Sequence, residues 1–151
     1  MRRRIRPAAF SLHRHLLPQL VVDGALVALA YWLAYRLRFD GPLEVPARYQ
    51  QLFDETIVAA VVISLLVFAA LGLYQKWWRY VTQRDYTAIV QAVVIATLLL
   101  LGYIALVKPV TQPSAAGDTT VTAPAGVLAL YLLLMLAFVG GTRFVARSVY
   151  E

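Results

Sequence analysis

Four apolar runs constrain this chain more than any other feature. They cover Leu16 to Leu37, Thr56 to Tyr74, Tyr86 to Val107 and Ala125 to Thr142, and they are 18 to 22 residues long. A helix needs about 20 residues to cross the hydrocarbon core of a bilayer. Unpaired backbone polar groups are costly in lipid, so the helix is the default spanning form. Composition excludes the soluble alternative. Hydrophobic residues make up 61% of the chain and charged residues 15%, against about 25% charged in soluble domains. The predicted class is all-α: an integral membrane four-helix transmembrane bundle forming one domain over 1–151.

Orientation follows from the basic residues. Ten lie in the segments that share a side: Arg2, Arg3, Arg4, Arg6 and Arg14 in the tail, Lys76, Arg79 and Arg84 between helices 2 and 3, and Arg143 and Arg147 after helix 4. Arg36, Arg38, Arg48 and Lys108 lie on the other side, with Asp40, Glu44, Asp54, Glu55 and Asp118. Basic flanks stay cytoplasmic. Both termini are therefore predicted in the cytoplasm, with residues 1–15 a basic cytosolic tail. A cleaved signal peptide ending at Ala28 to Ala30 is the rival reading of the start. Asp23 inside the apolar stretch, and the run that continues beyond the cut, argue against it.

The connections differ in kind. Asp40-Gly41-Pro42 reads as a turn. Glu44 to Glu55 reads as a short surface helix before helix 2, and Lys108 to Pro124 as a flexible outer loop. Leu73 to Tyr86, "LYQKWWRYVTQRDY", interleaves Trp77, Trp78 and Tyr80 with Lys76, Arg79 and Arg84. Indoles prefer the headgroup region and basic side chains prefer anionic phosphates. This connector reads first as an interfacial anchor and second as a docking surface for a cytosolic domain or a polyprenyl-phosphate headgroup. Arg36 and Arg38 close helix 1 with stems along lipid and heads at the phosphates.

Asp23 is the acid inside an apolar run, about 10 Å into helix 1 at 1.5 Å per residue. An intramembrane carboxylate is presumed functional until its partner is named. The topology nominates Arg143, at the same end of helix 4, and a structural role for the pair. No catalytic, cofactor or metal site is expected. His13 and His15 stand two apart in the basic tail without nearby carboxylates, which is no zinc pattern. The Val139 to Arg143 segment "VGGTR" lacks dinucleotide-loop spacing. A dehydratase site would want Tyr-x-x-x-Lys, and none of the nine tyrosines has it. The Arg-rich tail is better explained by topology than by nucleic acid. Gly72, Gly102, Gly140 and Gly141 are places where helices could approach closely or self-associate.

Taken together, "LRFDG" (Leu37 to Gly41), "LYQKWWRYVTQRDYTAIVQA" (Leu73 to Ala92), "GGTRFVAR" (Gly140 to Arg147) and Asp23 resemble the N-terminal membrane region of the CapD-like family. These are bacterial polysaccharide-biosynthesis nucleotide-sugar epimerases and 4,6-dehydratases. The resemblance runs from about Asp23 to Arg147. It implies a cytosolic Rossmann-type domain after helix 4 that uses NAD(P) to modify a UDP-sugar for capsule, O-antigen or glycan assembly. No residue of such a domain falls within 1–151. The chain is therefore expected to be a non-catalytic anchor or scaffold in the bacterial inner membrane, with no cofactor of its own. Its expected partners are lipid, a cytosolic sugar-nucleotide enzyme domain or the polyprenyl-phosphate machinery. The alternatives are the membrane domain of an undecaprenyl-phosphate sugar-phosphate transferase and a small glycolipid translocation partner. Translocation would want a polar lining, for which Asp23, Ser64, Gln91 and Thr97 are the candidates.

Overall fold

A computed structural model of the chain describes residues 16–39, 45–74, 83–114 and 117–150. Four helices run over Leu16–Arg38 (α1), Ala47–Ala70 (α2), Gln83–Val107 (α3) and Ala125–Tyr150 (α4). Each contains a stretch long and apolar enough to cross a membrane: Leu17–Arg38, Ala47–Ala70, Tyr86–Val107 and Ala125–Val145. Their outward faces are apolar as well as their inward ones, Val21 being 70% and Leu106 84% exposed. A helix that is hydrophobic all round belongs in lipid or a large core. A bundle this small offers no large core, so lipid is the medium that covers those faces.

The helices form a ring. α1 packs on α2, α2 on α3, α3 on α4, and α4 closes on α1, while the diagonal pairs do not approach at backbone level among the described residues. The interior is written as residues four apart. On α1 these are Asp23, Val27, Tyr31 and Tyr35; on α2, Leu52, Thr56, Ala60 and Ser64; on α4, Val127, Tyr131, Met135, Val139 and Arg143, all buried. Positions four apart lie on neighbouring turns of one helix face, so a period-four sequence makes a buried stripe inclined to the helix axis. α3 contributes Ile89, Ala92, Val93, Ala96, Leu100 and Ile104.

The ends of the helices follow from proline and glycine. Pro46 and Pro124 precede α2 and α4, the Pro46 carbonyl accepting from the amides of Tyr49 and Gln50 and the Pro124 carbonyl from those of Val127 and Leu128. α3 ends at Val107, and Lys108 follows with φ 51° just before Pro109. α2 ends in a Schellman turn. Leu73 N donates to Phe68 O at 2.9 Å and Gly72 N to Ala69 O at 3.0 Å, with Gly72 at φ 71°. That conformation suits glycine, and it returns Leu73 to the core beside Phe68, both buried. Gly72→Ala is expected to destabilise by about 1–2 kcal/mol, the cost of placing a Cβ in the left-handed region. Denaturant titration in mixed micelles reads it.

Three expectations are corrected. Glu44 to Glu55 is not a separate surface helix: from Ala47 onward it is the first part of α2. Helix 4 does not stop at Thr142 but continues to Tyr150. The segment between α3 and α4 is not an irregular loop. Thr111–Ser114 (β1) and Gly117–Thr120 (β2) pair antiparallel as a hairpin, so the chain is not wholly α. The pairing starts at the bundle, where Val121 N donates to Val110 O at 2.9 Å and both side chains are buried. Because Val110 and Val121 form a hydrogen-bonded pair, alternation makes Pro113 and Asp118 a non-hydrogen-bonded pair. The Pro113 nitrogen then points away from the ladder, where a missing N–H does no harm.

Candidate functional site

The two ionisable residues that the sequence pairs do meet. Arg143 Nη2 donates to Asp23 Oδ2 at 2.7 Å, with the side chains 8% and 7% exposed. α1 brings Asp23 to the contact from its second turn, and α4 brings Arg143 from its far part, so the two helices run antiparallel there. An unpaired charge at membrane depth is expensive, and each of these removes that cost from the other. The Schellman turn adds a third group. It carries Tyr74 to the same end of the bundle, where its buried hydroxyl couples electrostatically to both Asp23 and Arg143. The ends of α1, α2 and α4 thus meet around one ion pair.

A second polar cluster, which the sequence reading missed, fills the other half of the bundle. Tyr31 Oη lies 2.7 Å from Thr56 Oγ1 and 3.3 Å from Tyr35 Oη, and Thr56 Oγ1 donates to Leu52 O at 2.6 Å. Each hydroxyl has one proton. Thr56 spends its proton on the Leu52 carbonyl, so Tyr31 donates to Thr56 and accepts from Tyr35. The cluster is a one-way relay from Tyr35 to the backbone of α2. Tyr131 reaches across the bundle from α4 to Ser64 on α2, 3.1 Å between oxygens. Its ring meets Tyr31 edge-on, with centroids 5.2 Å apart at 74°. Phe53 stacks on Tyr31 at 5.5 Å, and Phe39 stacks on Tyr49 at 5.1 Å. The available signal was spacing: Tyr31, Tyr35, Thr56, Ser64 and Tyr131 fall on the same four-residue stripes as the apolar core.

Of the other candidates, Arg36 and Arg38 are exposed at the end of α1. Arg36 lies over the Trp32 ring at 5.5 Å, and Arg48 over Tyr49 at 4.7 Å. Such stacking holds the guanidinium on an aromatic face and leaves its donors free at the edges. Arg38 turns to α4 and packs on Gly126. Arg84 belongs to α3. Trp77, Trp78, Arg79, the basic tail and Asp40-Gly41-Pro42 lie outside the described residues. The candidate polar lining does not converge: Ser64 holds Tyr131, Thr97 bonds its own helix at Val93 O, and Gln91 is exposed. Among the described residues, Gly102, Gly140 and Gly141 have no neighbour within 4 Å of where a Cβ would stand.

The arrangement joins helices. Among the described residues no group of three or more His, Asp or Glu side chains is placed to hold a metal ion. No family model, curated protein or solved structure matches the chain.

Proposed function

We propose that the chain is a membrane anchor and scaffold that holds sugar-nucleotide chemistry at the bacterial inner membrane, with both ends cytoplasmic. One observation carries the scaffold reading. The buried polar side chains Asp23, Tyr31, Thr56, Ser64, Thr97, Tyr131 and Arg143 hydrogen-bond to protein groups within the bundle. Polar groups in a catalytic or transport site converge on a space for a ligand; these seven instead tie helix to helix or helix to its own backbone. The glycan assignment rests on the resemblance of "LRFDG", the aromatic–basic connector and "GGTRFVAR" to the CapD-like membrane region. Under this reading the connector from Lys76 to Arg84 is the docking surface, and NAD(P) belongs to the docked enzyme domain.

Two measurements test it. The chain contains no cysteine, so single cysteines report sidedness against a silent background. Ser11→Cys and Ser148→Cys are expected to be protected from a membrane-impermeant maleimide in spheroplasts, and Thr119→Cys to be labelled; the reverse pattern overturns the orientation. Photo-crosslinkers at Trp77 to Tyr80 in native membranes are expected to capture a sugar-nucleotide enzyme. Capture of polyprenyl phosphate alone moves the function to the transferase or translocation class. Recovery of neither removes the docking surface.

A further inference from the structure

The outward side of α1 ends in a cation. Ala25, Leu29, Trp32 and Arg36 are exposed, and their spacing of four, three and four places them on one helix face. Leu29 and Trp32 are each 43% exposed. Three apolar positions thus lead along the helix to a guanidinium in its last turn. Hydrocarbon, then indole, then cation is the complement of an amphiphile with an anionic head.

The indole orients that guanidinium. Arg36 Cζ lies 5.5 Å from the centroid of the Trp32 ring. An aromatic face takes the flat side of the fork and leaves its N–H edges free. Arg48 repeats the arrangement at the start of α2, with Cζ 4.7 Å from the Tyr49 centroid. Tyr49 in turn stacks on Phe39 at the close of α1, so both guanidinia stand at the same end of neighbouring helices. Among the described residues neither of them meets Asp54, Glu55 or Asp118, the acids of this end. Arg38 differs from both, because it turns to α4 and packs on Gly126.

We propose that this face of α1 is a binding site for an anionic glycerophospholipid. The acyl chains lie along Ala25, Leu29 and Trp32. Arg36 binds the headgroup phosphate through its free N–H edge, and Arg48 adds positive charge from α2. A guanidinium fork matches two phosphate oxygens at once. A zwitterionic lipid carries its own cation, which competes with Arg36 for the phosphate. A free phosphate has no chains to cover the apolar positions below. The site needs no docked enzyme, so it stands apart from the scaffold reading.

Quenching of Trp32 by brominated lipid tests it, with the full chain reconstituted in phosphatidylcholine vesicles. The chain has three tryptophans, so Trp77→Phe/Trp78→Phe leaves Trp32 as the sole reporter, beside the proposed phosphate position. At equal low mole fraction, chain-brominated phosphatidylglycerol is expected to associate at Trp32 about five-fold more strongly than chain-brominated phosphatidylcholine. That is the scale of one basic residue's attraction to an anionic membrane surface. Arg36→Gln is expected to bring the ratio below about two, and Arg38→Gln to keep most of it. A ratio near one before any arginine is changed overturns the site. Equal losses in Arg36→Gln and Arg38→Gln overturn it too, because diffuse charge alone would give them. Polyprenyl phosphate added at an amount equal to the brominated phosphatidylglycerol is expected to leave the quenching in place. Relief of quenching by that competitor assigns the site to polyprenyl phosphate and overturns the phospholipid.

Discussion

Replacing Asp23 or Arg143 singly with leucine is expected to destabilise the bundle by about 3 kcal/mol, the order of the cost of leaving one partner of a buried ion pair uncompensated. The partner left behind determines the loss. Arg143 is buried at 8% exposure, and without Asp23 its guanidinium has lost the carboxylate it donates to. Replacing both with leucine removes both charges and is expected to cost less than either single change, since exchanging a buried ion pair for packed apolar groups is often neutral. Unfolding in mixed micelles, scored as a double-mutant cycle, measures the coupling. Single variants that lose less than about 0.5 kcal/mol, the value of many exposed pairs, would show that the pair holds nothing together.

Tyr31→Ala is expected to be comparably damaging, at about 3–5 kcal/mol, the range for deleting a large buried aromatic side chain. Tyr31 is fully buried and touches Tyr35, Phe53, Tyr131 and Thr56. The alanine leaves a cavity where three of the four helices meet and ends the hydroxyl relay midway. Tyr31→Phe keeps the ring contacts and loses only the hydrogen bonds, for which about 1 kcal/mol is expected, as for other interhelical hydrogen bonds in bilayers. Thr56 keeps its bond to Leu52 O in that variant. The same unfolding assay separates the two losses. If Phe costs as much as Ala, the relay and not the packing holds this half of the bundle.

The elements most legible in the sequence were those with the strongest physical contrast. Asp23 is a carboxylate inside an apolar run, and the up-and-down order of four runs left Arg143 as its basic candidate at the same level. The hydroxyl relay had no such contrast. Tyrosine at a membrane interface and tyrosine in a bundle core have the same composition, and only the position of α2 against α1 brings Tyr31 to Thr56. The start of α2 was hidden for the opposite reason. Arg48, Gln50, Asp54 and Glu55 make its first turns polar, so hydropathy placed the start at Thr56 although nothing after Pro46 stops a helix. The hairpin was masked by Thr, Pro, Gly and Ala, which read as loop. Its register depends on Val110 and Val121 being held together by the helices on either side, a constraint visible only in three dimensions.

Pro113 has a consequence for the company this protein can keep. A short hairpin projecting from a bundle offers two lateral edges, and either could recruit a strand from a neighbouring chain. The β1 edge presents Thr111 and Pro113 outward, and a ring nitrogen there withholds the donor that an incoming strand would need. On β2 the outward positions are Asp118 and Thr120, so an approaching strand meets a carboxylate. Each edge of the hairpin thus carries one feature that disfavours strand addition, a proline on β1 and a carboxylate on β2.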